Sequence, residues 1–366
     1  MLFKFYVGID VSKLVLDIYI RENRAHKQFK NDLNGFGLLL QWLEKQVQQP
    51  LDSVLICFEH TGIYSLPLAI FLEKRQVSYS MIPALEIKRS MGITRGKNDL
   101  IDAKRIAEFA YRFKDKISVT KLPAEDIRKI HSLLTLRDRL VTSMQGYVVT
   151  QNEMLRAIQK EDFAELFSTY ENMILTLKEE IKKLENAMKA IIQNNQQLRT
   201  SFELITTIKG IGFIVATHLI VYTYNFTRFD SWRKFACYSG IAPFDYQSGT
   251  SVRGKTQVSS IANQQVKRML HLAATCAIHT DTELKEYYCR RQAEGKSKMA
   301  VINIVRNKLV ARVFAVVKRG SPFVDIKNML PNTLDKTSKL FFFSNPLLQK
   351  SRGCLKRKIT SCKIDN

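Results

Sequence analysis

An α/β N-terminal domain, a helical insertion and a mostly α C-terminal domain are what this sequence predicts, and three observations carry the prediction. Two apolar runs, Phe5-Tyr6-Val7-Gly8-Ile9 and Val54-Leu55-Ile56-Cys57-Phe58, read as buried strands, with helical periodicity between and after them. Residues 124–198 hold no proline and a single glycine, Gly146, the texture of long helices. After residue 200, apolar helical stretches flank a segment rich in glycine, hydroxyls and bases.

The N-terminal elements follow in order. The strand Phe5 to Val11 is succeeded by Leu14 to Ile20, close enough to be its hairpin partner, and a third, edge strand is expected near His26 to Phe29. A helix over Gly35 to Gln46 precedes the second buried strand, and another helix follows Thr61-Gly62. A strand over Val77 to Ile82 ends at Pro83. Lys97-Asn98-Asp99 opens a helix running to about Phe113, with Ile101, Ile106, Ala107 and Ala110 as its apolar face. Hairpin strands first, then strand–helix alternation, is the order of an RNase H-like fold. We assign this domain to residues 1–122.

Residues 123–200 form the helical segment. Ile174, Leu177, Ile181, Leu184, Met188 and Ile191 recur at spacings of three and four, with Lys and Glu between. One helix on its own domain's core, an antiparallel helical hairpin and an intermolecular coiled coil all fit this coiled-coil-like stripe. The third unit spans 201–328. Ile205-Thr-Thr-Ile208-Lys209-Gly210-Ile-Gly212, followed by Ala216 and Leu219, has the shape of a helix–hairpin–helix. There Gly210 and Gly212 let backbone N–H groups approach a phosphate, with Lys209 beside them; a plain tight turn between helices is the alternative. Residues 241–260 form a loop or hairpin, and helices over Gln264 to Ile278 and Lys298 to Lys318 close the domain. The remainder, 329–366, is a basic tail expected to be flexible and to touch nucleic acid without sequence preference.

Charge narrows the partners. Over 366 residues, Lys and Arg number 57 against 34 acids, a net charge of +23 with a pI near 9.7. Such an excess favours a polyanion, most simply nucleic acid. No apolar stretch reaches the roughly 18 residues of a spanning helix, and Asp10 cuts the N-terminal run too early for a signal peptide. A cytoplasmic protein that does not enter the membrane is expected. The six cysteines show no CxxC pair or framework spacing, so they read as reduced thiols and not as disulfides or zinc ligands.

Four acids carry the chemistry. Asp10 and Glu59 terminate the two buried strands, and Asp99 and Asp102 lie three apart at a helix start, on one helical face. In open α/β sheets sites form beyond the strand ends, and a cluster of hard oxygens suits Mg²⁺ or Mn²⁺ acting on phosphodiesters. Taken singly, Asp99 is as well explained as a helix cap, Asp102 as a dipole partner, and Asp10 and Glu59 as turn residues. Asp17 and Glu86 are read as structural. A second constellation is Tyr246-Gln-Ser248-Gly249-Thr-Ser251-Val-Arg253-Gly254. A serine beside a flexible glycine, with an arginine nearby, can attack a phosphodiester, although Ser239, Ser251, Ser259 and Ser260 compete with Ser248 as hydroxyls. Arg253, Lys255, Lys267 and Arg268 read as phosphate contacts. The six histidines show no ligand spacing.

Together, Gly-Ile-Asp10-Val-Ser-Lys, Glu59-His-Thr-Gly-Ile-Tyr, Lys-Asn-Asp99-Leu-Ile-Asp102-Ala, Ile-Lys-Gly-Ile-Gly and Tyr-Gln-Ser248-Gly-Thr-Ser-Val-Arg-Gly resemble the DEDD transposases of bacterial insertion sequences. Some of that family are serine recombinases guided by a bridge RNA. The resemblance covers roughly residues 5 to 325, and the basic tail departs from the family's short ending. It implies a RuvC-like N-terminal domain, a coiled-coil insertion and a C-terminal transposase domain. It also implies a Mg²⁺-binding tetrad of Asp10, Glu59, Asp99 and Asp102, and Ser248 as the group joined covalently to DNA. In the family the tetrad and serine come from different protomers, so a homo-oligomer, dimer or tetramer, is expected, with DNA and a structured guide RNA as partners. A metal-dependent junction-resolving nuclease using water, and a non-catalytic nucleic-acid-binding protein, are the rival readings.

Overall fold

The computed structural model describes residues 3–90, 99–245, 247–248, 252–254 and 256–325, and divides the chain into two compact units meeting at Pro123 and Ala124. The first unit is built on a five-stranded sheet of order β3-β2-β1-β4-β5. Its strands are β1 (Phe5–Val11), β2 (Val15–Ile20), β3 (His26–Lys30), β4 (Val54–Glu59) and β5 (Tyr79–Ile82). β1, β2 and β3 are antiparallel neighbours, whereas β1–β4 and β4–β5 are parallel. Strand alternation sorts the side chains onto two faces. Val7, Ile9, Leu16, Ile18, Ile56 and Phe58 form one core with Phe36, Leu39 and Leu43 of α1 (Leu33–Val47) and Leu68 and Leu72 of α2 (Leu66–Lys74). On the opposite face Tyr6, Leu55 and Cys57 pack against Ile106, Phe109 and Ala110 of α4 (Asp99–Arg112).

The expected elements of this unit appear within a few residues of their predicted ends, and the sequence reading missed the short α3 (Ala84–Ser90). Local chemistry explains the boundaries. Asp32 caps α1 by accepting a hydrogen bond from the Gly35 N–H at 2.7 Å, and Gln48 ends it in the left-handed region at φ 51°.

The second unit is helical apart from one small β segment. α5 (Glu125–Ala157) and α6 (Ala164–Asn194) run antiparallel, as the helical-hairpin reading of the heptad stripe expects. Three contacts fix the pairing: Asn195 Nδ2 donates to Asp126 at 2.8 Å, Arg137 pairs with Glu185 at 2.9 Å, and the rings of Tyr147 and Tyr170 meet edge to face. Ile174, Ile181 and Met188 are its buried stripe. α7 (Gln196–Thr206), α8 (Phe213–Thr223), α9 (Trp232–Tyr238), α10 (Gln264–Thr280), α11 (Thr282–Ala293) and α12 (Lys298–Arg319) surround one core. Ile127, Ile130, Leu134, Met188 and Ile192, at the foot of the hairpin, belong to that same core. The sequence reading did not anticipate α9 and α11. Among the described residues no helix is long and apolar enough to cross a membrane.

Candidate active site

Gly8 decides where the acids stand. A Cβ on Gly8 would lie 2.1 Å from the Ala103 carbonyl oxygen and 2.4 Å from the Ala107 nitrogen, so only glycine lets α4 settle onto β1. Along α4, Ala103, Ala107 and Ala110 are fully buried small residues that permit the same close approach. Asp10 is two residues past Gly8, on the α4 face, and Asp102 is one residue before Ala103. The parallel register Gly8↔Cys57 and Ile9↔Phe58 carries Glu59 to the position next to Asp10. Asp10 and Glu59 therefore belong to neighbouring strands on one sheet face, and the helix that carries Asp102 packs over that face.

Their surroundings are polar. Asp102 accepts a hydrogen bond from Arg105 Nη1 at 2.8 Å, one turn along α4. Asp99 opens α4, and its side chain lies outside the described residues. Among the described residues no group of three or more His, Cys, Asp or Glu side chains is arranged to hold a metal ion. A fifth carboxylate, Asp17, stands opposite Asp10 in the β1–β2 register and is 4% exposed. Gln28 Nε2 at 2.8 Å and His26 Nε2 at 3.2 Å hold Asp17 Oδ1. Those partners tie it to the sheet edge, in keeping with its structural reading.

The serine segment is a two-rung β-hairpin. β6 (Pro243–Phe244) pairs with β9 (Gln257–Val258), and β7 (Gln247–Ser248) with β8 (Val252–Arg253), matching Ser248 with Val252. Ser248 thus sits on the second rung; its side chain and that of Arg253, and all of Lys255, lie outside the described residues. The hairpin's root is tied to α10 and α12 by hydrogen bonds. The Ile241 carbonyl accepts from both Asn303 Nδ2 and Asn307 Nδ2 of α12 at 2.9 Å. Asn263 caps α10 and donates from Nδ2 to the Tyr238 hydroxyl at 2.8 Å. Gly240, at φ 65°, has the Ala262 Cβ where its own would be. A groove of about 830 Å³, lined by Cys237, Phe244, Val258 and Ile261, follows the hairpin's flank.

The other predicted phosphate contacts are placed as follows. Gly210 takes φ 88° with the Ala273 and Ala277 backbone of α10 pressed behind it, while Gly212 caps α8. Lys209 Nζ is bound to Asp325 at 3.0 Å. Lys267 and Arg268 lie in the first turns of α10. In the first unit Lys27, Lys30 and Lys45 surround Phe29 and Trp42 in a groove of about 560 Å³.

A transposase model of the DEDD IS110 type matches residues 7–160, and the model described as Transposase IS116/IS110/IS902 family matches residues 202–289. The first spans the strands and helix that bear the four acids; the second spans the hairpin that bears Ser248. The chain belongs to the IS110 family of transposases. It is similar to the pilin gene-inverting proteins of Moraxella lacunata and Moraxella bovis, each 24% identical over 328 residues, covering 87% of this chain and 98% of theirs. It is also similar, at 29% over 118 residues, to an IS110 insertion-element protein of Streptomyces coelicolor, covering 32% of this chain and 29% of that one. As an IS110-family transposase the chain is a DNA-recombining enzyme.

Sequence reasoning passed over one polar cluster in the transposase's second unit. Arg306 of α12 is only 6% exposed, and its Nη2 lies 2.5 Å from His271 Nδ1 of α10. Its Nε is buried without a hydrogen-bond partner. An arginine at helical spacing from apolar neighbours looks like a surface residue, so no sequence signal marked it.

Proposed function

We propose that this transposase cuts and rejoins DNA strands through a phosphoserine intermediate on Ser248, assisted by Mg²⁺ or Mn²⁺ at Asp10, Glu59, Asp99 and Asp102. The observation that supports the metal reading is the seating of α4 on Gly8, which packs the helix bearing Asp99 and Asp102 over the sheet face to which Asp10 and Glu59 belong. The sheet order 3-2-1-4-5, with an antiparallel hairpin and parallel additions, supports an RNase H-like fold for that unit. The donor set fits: hard carboxylate oxygens from separate elements suit a hard divalent cation. When bound, such a cation would neutralise charge developing on a phosphate.

The remaining chemistry belongs to the chain. Ser248 Oγ forms a bond to the scissile phosphorus as the bond from phosphorus to the leaving DNA oxygen breaks. The serine proton is released and the leaving oxygen is protonated. A DNA hydroxyl then attacks the phosphoserine, the P–Oγ bond breaks, and the serine regains a proton. The phosphodiester energy is conserved, so no nucleotide cofactor is required. The hydrogen bonds from Asn303 and Asn307 to Ile241 anchor the base of the segment that bears Ser248, which favours positioning. The relatives' name, gene-inverting, describes a rearrangement that needs rejoining as well as cutting. Acids and serine reside in separate units, which accords with a composite site in a dimer or tetramer acting in the cytoplasm. The lysine–aromatic groove at Trp42 suits a nucleic-acid strand, and a structured guide RNA is the further partner we propose.

The test is adduct trapping. Ser248→Ala should keep DNA binding and lose denaturation-resistant protein–DNA adducts; adducts formed at the wild-type level by this variant would overturn the assignment. Strand cleavage without any adduct in the wild type would favour the water-using nuclease.

A further inference from the structure

Arg306 poses a physical problem. Removing a guanidinium from water is costly, and the cost is normally met by a carboxylate. Among the described residues no carboxylate offsets the burial of Arg306, which lowers its pKa. Its contacts are His271 Nδ1 at 2.5 Å and Asn303 Oδ1 at 3.5 Å, and its Nε is unpartnered. A methionine or leucine there would pack with the neighbouring Val305, Leu309 and Val310 at no electrostatic cost.

The location explains what such a cation is for. Asn303, one turn before Arg306, holds the Ile241 carbonyl at the root of the Ser248 hairpin. Arg306 Nη1 lies 3.5 Å from Asn303 Oδ1 and Nη2 meets His271 Nδ1, so Arg306 and His271 stand beside the residue that holds that root. Because Arg306 Nη2 can only donate, His271 Nδ1 must accept, and the imidazole carries its proton on Nε2. Burial and the adjacent Arg306 both hold the His271 pKa below its usual range, which keeps this neutral, Nε2-protonated form. His271 is part-exposed, so the cluster has a solvent-facing side.

We propose that Arg306 and His271 form a phosphate-binding pair that takes a DNA phosphate at the root of the hairpin and positions the strand for cleavage. Arg306 supplies the charge; His271 supplies an Nε2–H donor whose tautomer the arginine sets. The anion that compensates the buried guanidinium is then the substrate itself. This inference rests on the chain being a transposase and not on which hydroxyl attacks.

Two measurements on the full-length protein test it. In thermal unfolding, inorganic phosphate should raise the wild-type Tm by about 2 °C more than sodium chloride of equal ionic strength. Arg306→Met should unfold at or above the wild-type temperature and lose that extra increment, and Arg306→Lys should keep part of it. In strand-cleavage assays Arg306→Met should fall about 100-fold, with Arg306→Lys intermediate. If Arg306→Met unfolds well below the wild type, or shows the same phosphate increment, Arg306 is a packing residue and the proposal fails. Ser248→Ala should retain the full phosphate increment, so loss of Ser248 as nucleophile and loss of this site read out separately.

Discussion

Gly8 of β1 lies against the Ala103 carbonyl of α4 so closely that a single added methyl carbon would stand 2.1 Å from that oxygen. This contact sets the height of α4 above the sheet and with it the approach of Asp102's helix to the strand that carries Asp10. Backbone oxygen is the obstacle, so no side-chain rotation relieves it.

Gly8→Ala should therefore lift α4 and cost about 3 kcal/mol of stability in the first unit. Denaturant unfolding measures the loss. Divalent-cation-dependent cleavage should fall further than stability alone explains, because the acids separate while each remains present.

Replacing Glu59 by Gln keeps volume and hydrogen bonding but removes one hard anionic ligand. Cleavage should drop about 100-fold or more, and chelation of divalent cations should abolish it in the wild type. DNA affinity should hold or rise slightly, since the variant is one unit more positive. Unchanged cleavage kinetics would remove Glu59 from the metal set.

Asp138 of α5 ties the foot of the helical hairpin to α8 and α10. It meets His218 Nε2 at 3.3 Å, Gln265 Nε2 at 2.5 Å and Arg137 Nη1 at 3.2 Å. Burial pushes its carboxyl up, but His218, Gln265 and Arg137 outweigh burial and leave the pKa below the usual range. A depressed carboxyl pKa stabilises the fold above its unfolded value, about 3.9, and that stability is lost as pH falls through the folded value. Stability of the second unit should thus decline below about pH 4, with a shallower decline in Asp138→Ala. At pH 7 that variant should lose about 2 kcal/mol, read by chemical denaturation.

Lys209 is held by Asp325 at 3.0 Å. If Lys209 neutralises a phosphate, the slope of log K against log salt for DNA binding should decrease by about 1 in Lys209→Ala. Asp325→Asn, which frees the amine, should tighten binding at low salt. Identical slopes for wild type and Lys209→Ala would reduce Lys209 to a structural ion pair.

Much of this was legible in the chain. Asp10 and Glu59 stood out because buried strands seldom end in acids, and the helix opening at Asp99 followed from its apolar spacing. The serine segment read as a loop or hairpin from its glycines. Arg306 is illegible for a definite reason: burial of a charged residue depends on how helices pack over it, a tertiary property that helical spacing does not carry. Asp17 reads as structural from the sequence, and its place opposite Asp10 comes only from strand register.

By itself the sequence determined the kinds of groups available, the strands and helices that bear them, and, through five linked motifs, the family. Those properties are local, set by side-chain period, capping and composition. The tertiary structure alone decided that Gly8 admits α4 to the sheet, that Ile241 is pinned by Asn303 and Asn307, and that Arg306 is buried beside His271. Each of these depends on contacts between residues far apart in the chain, where close packing and desolvation, not local preference, govern the energy.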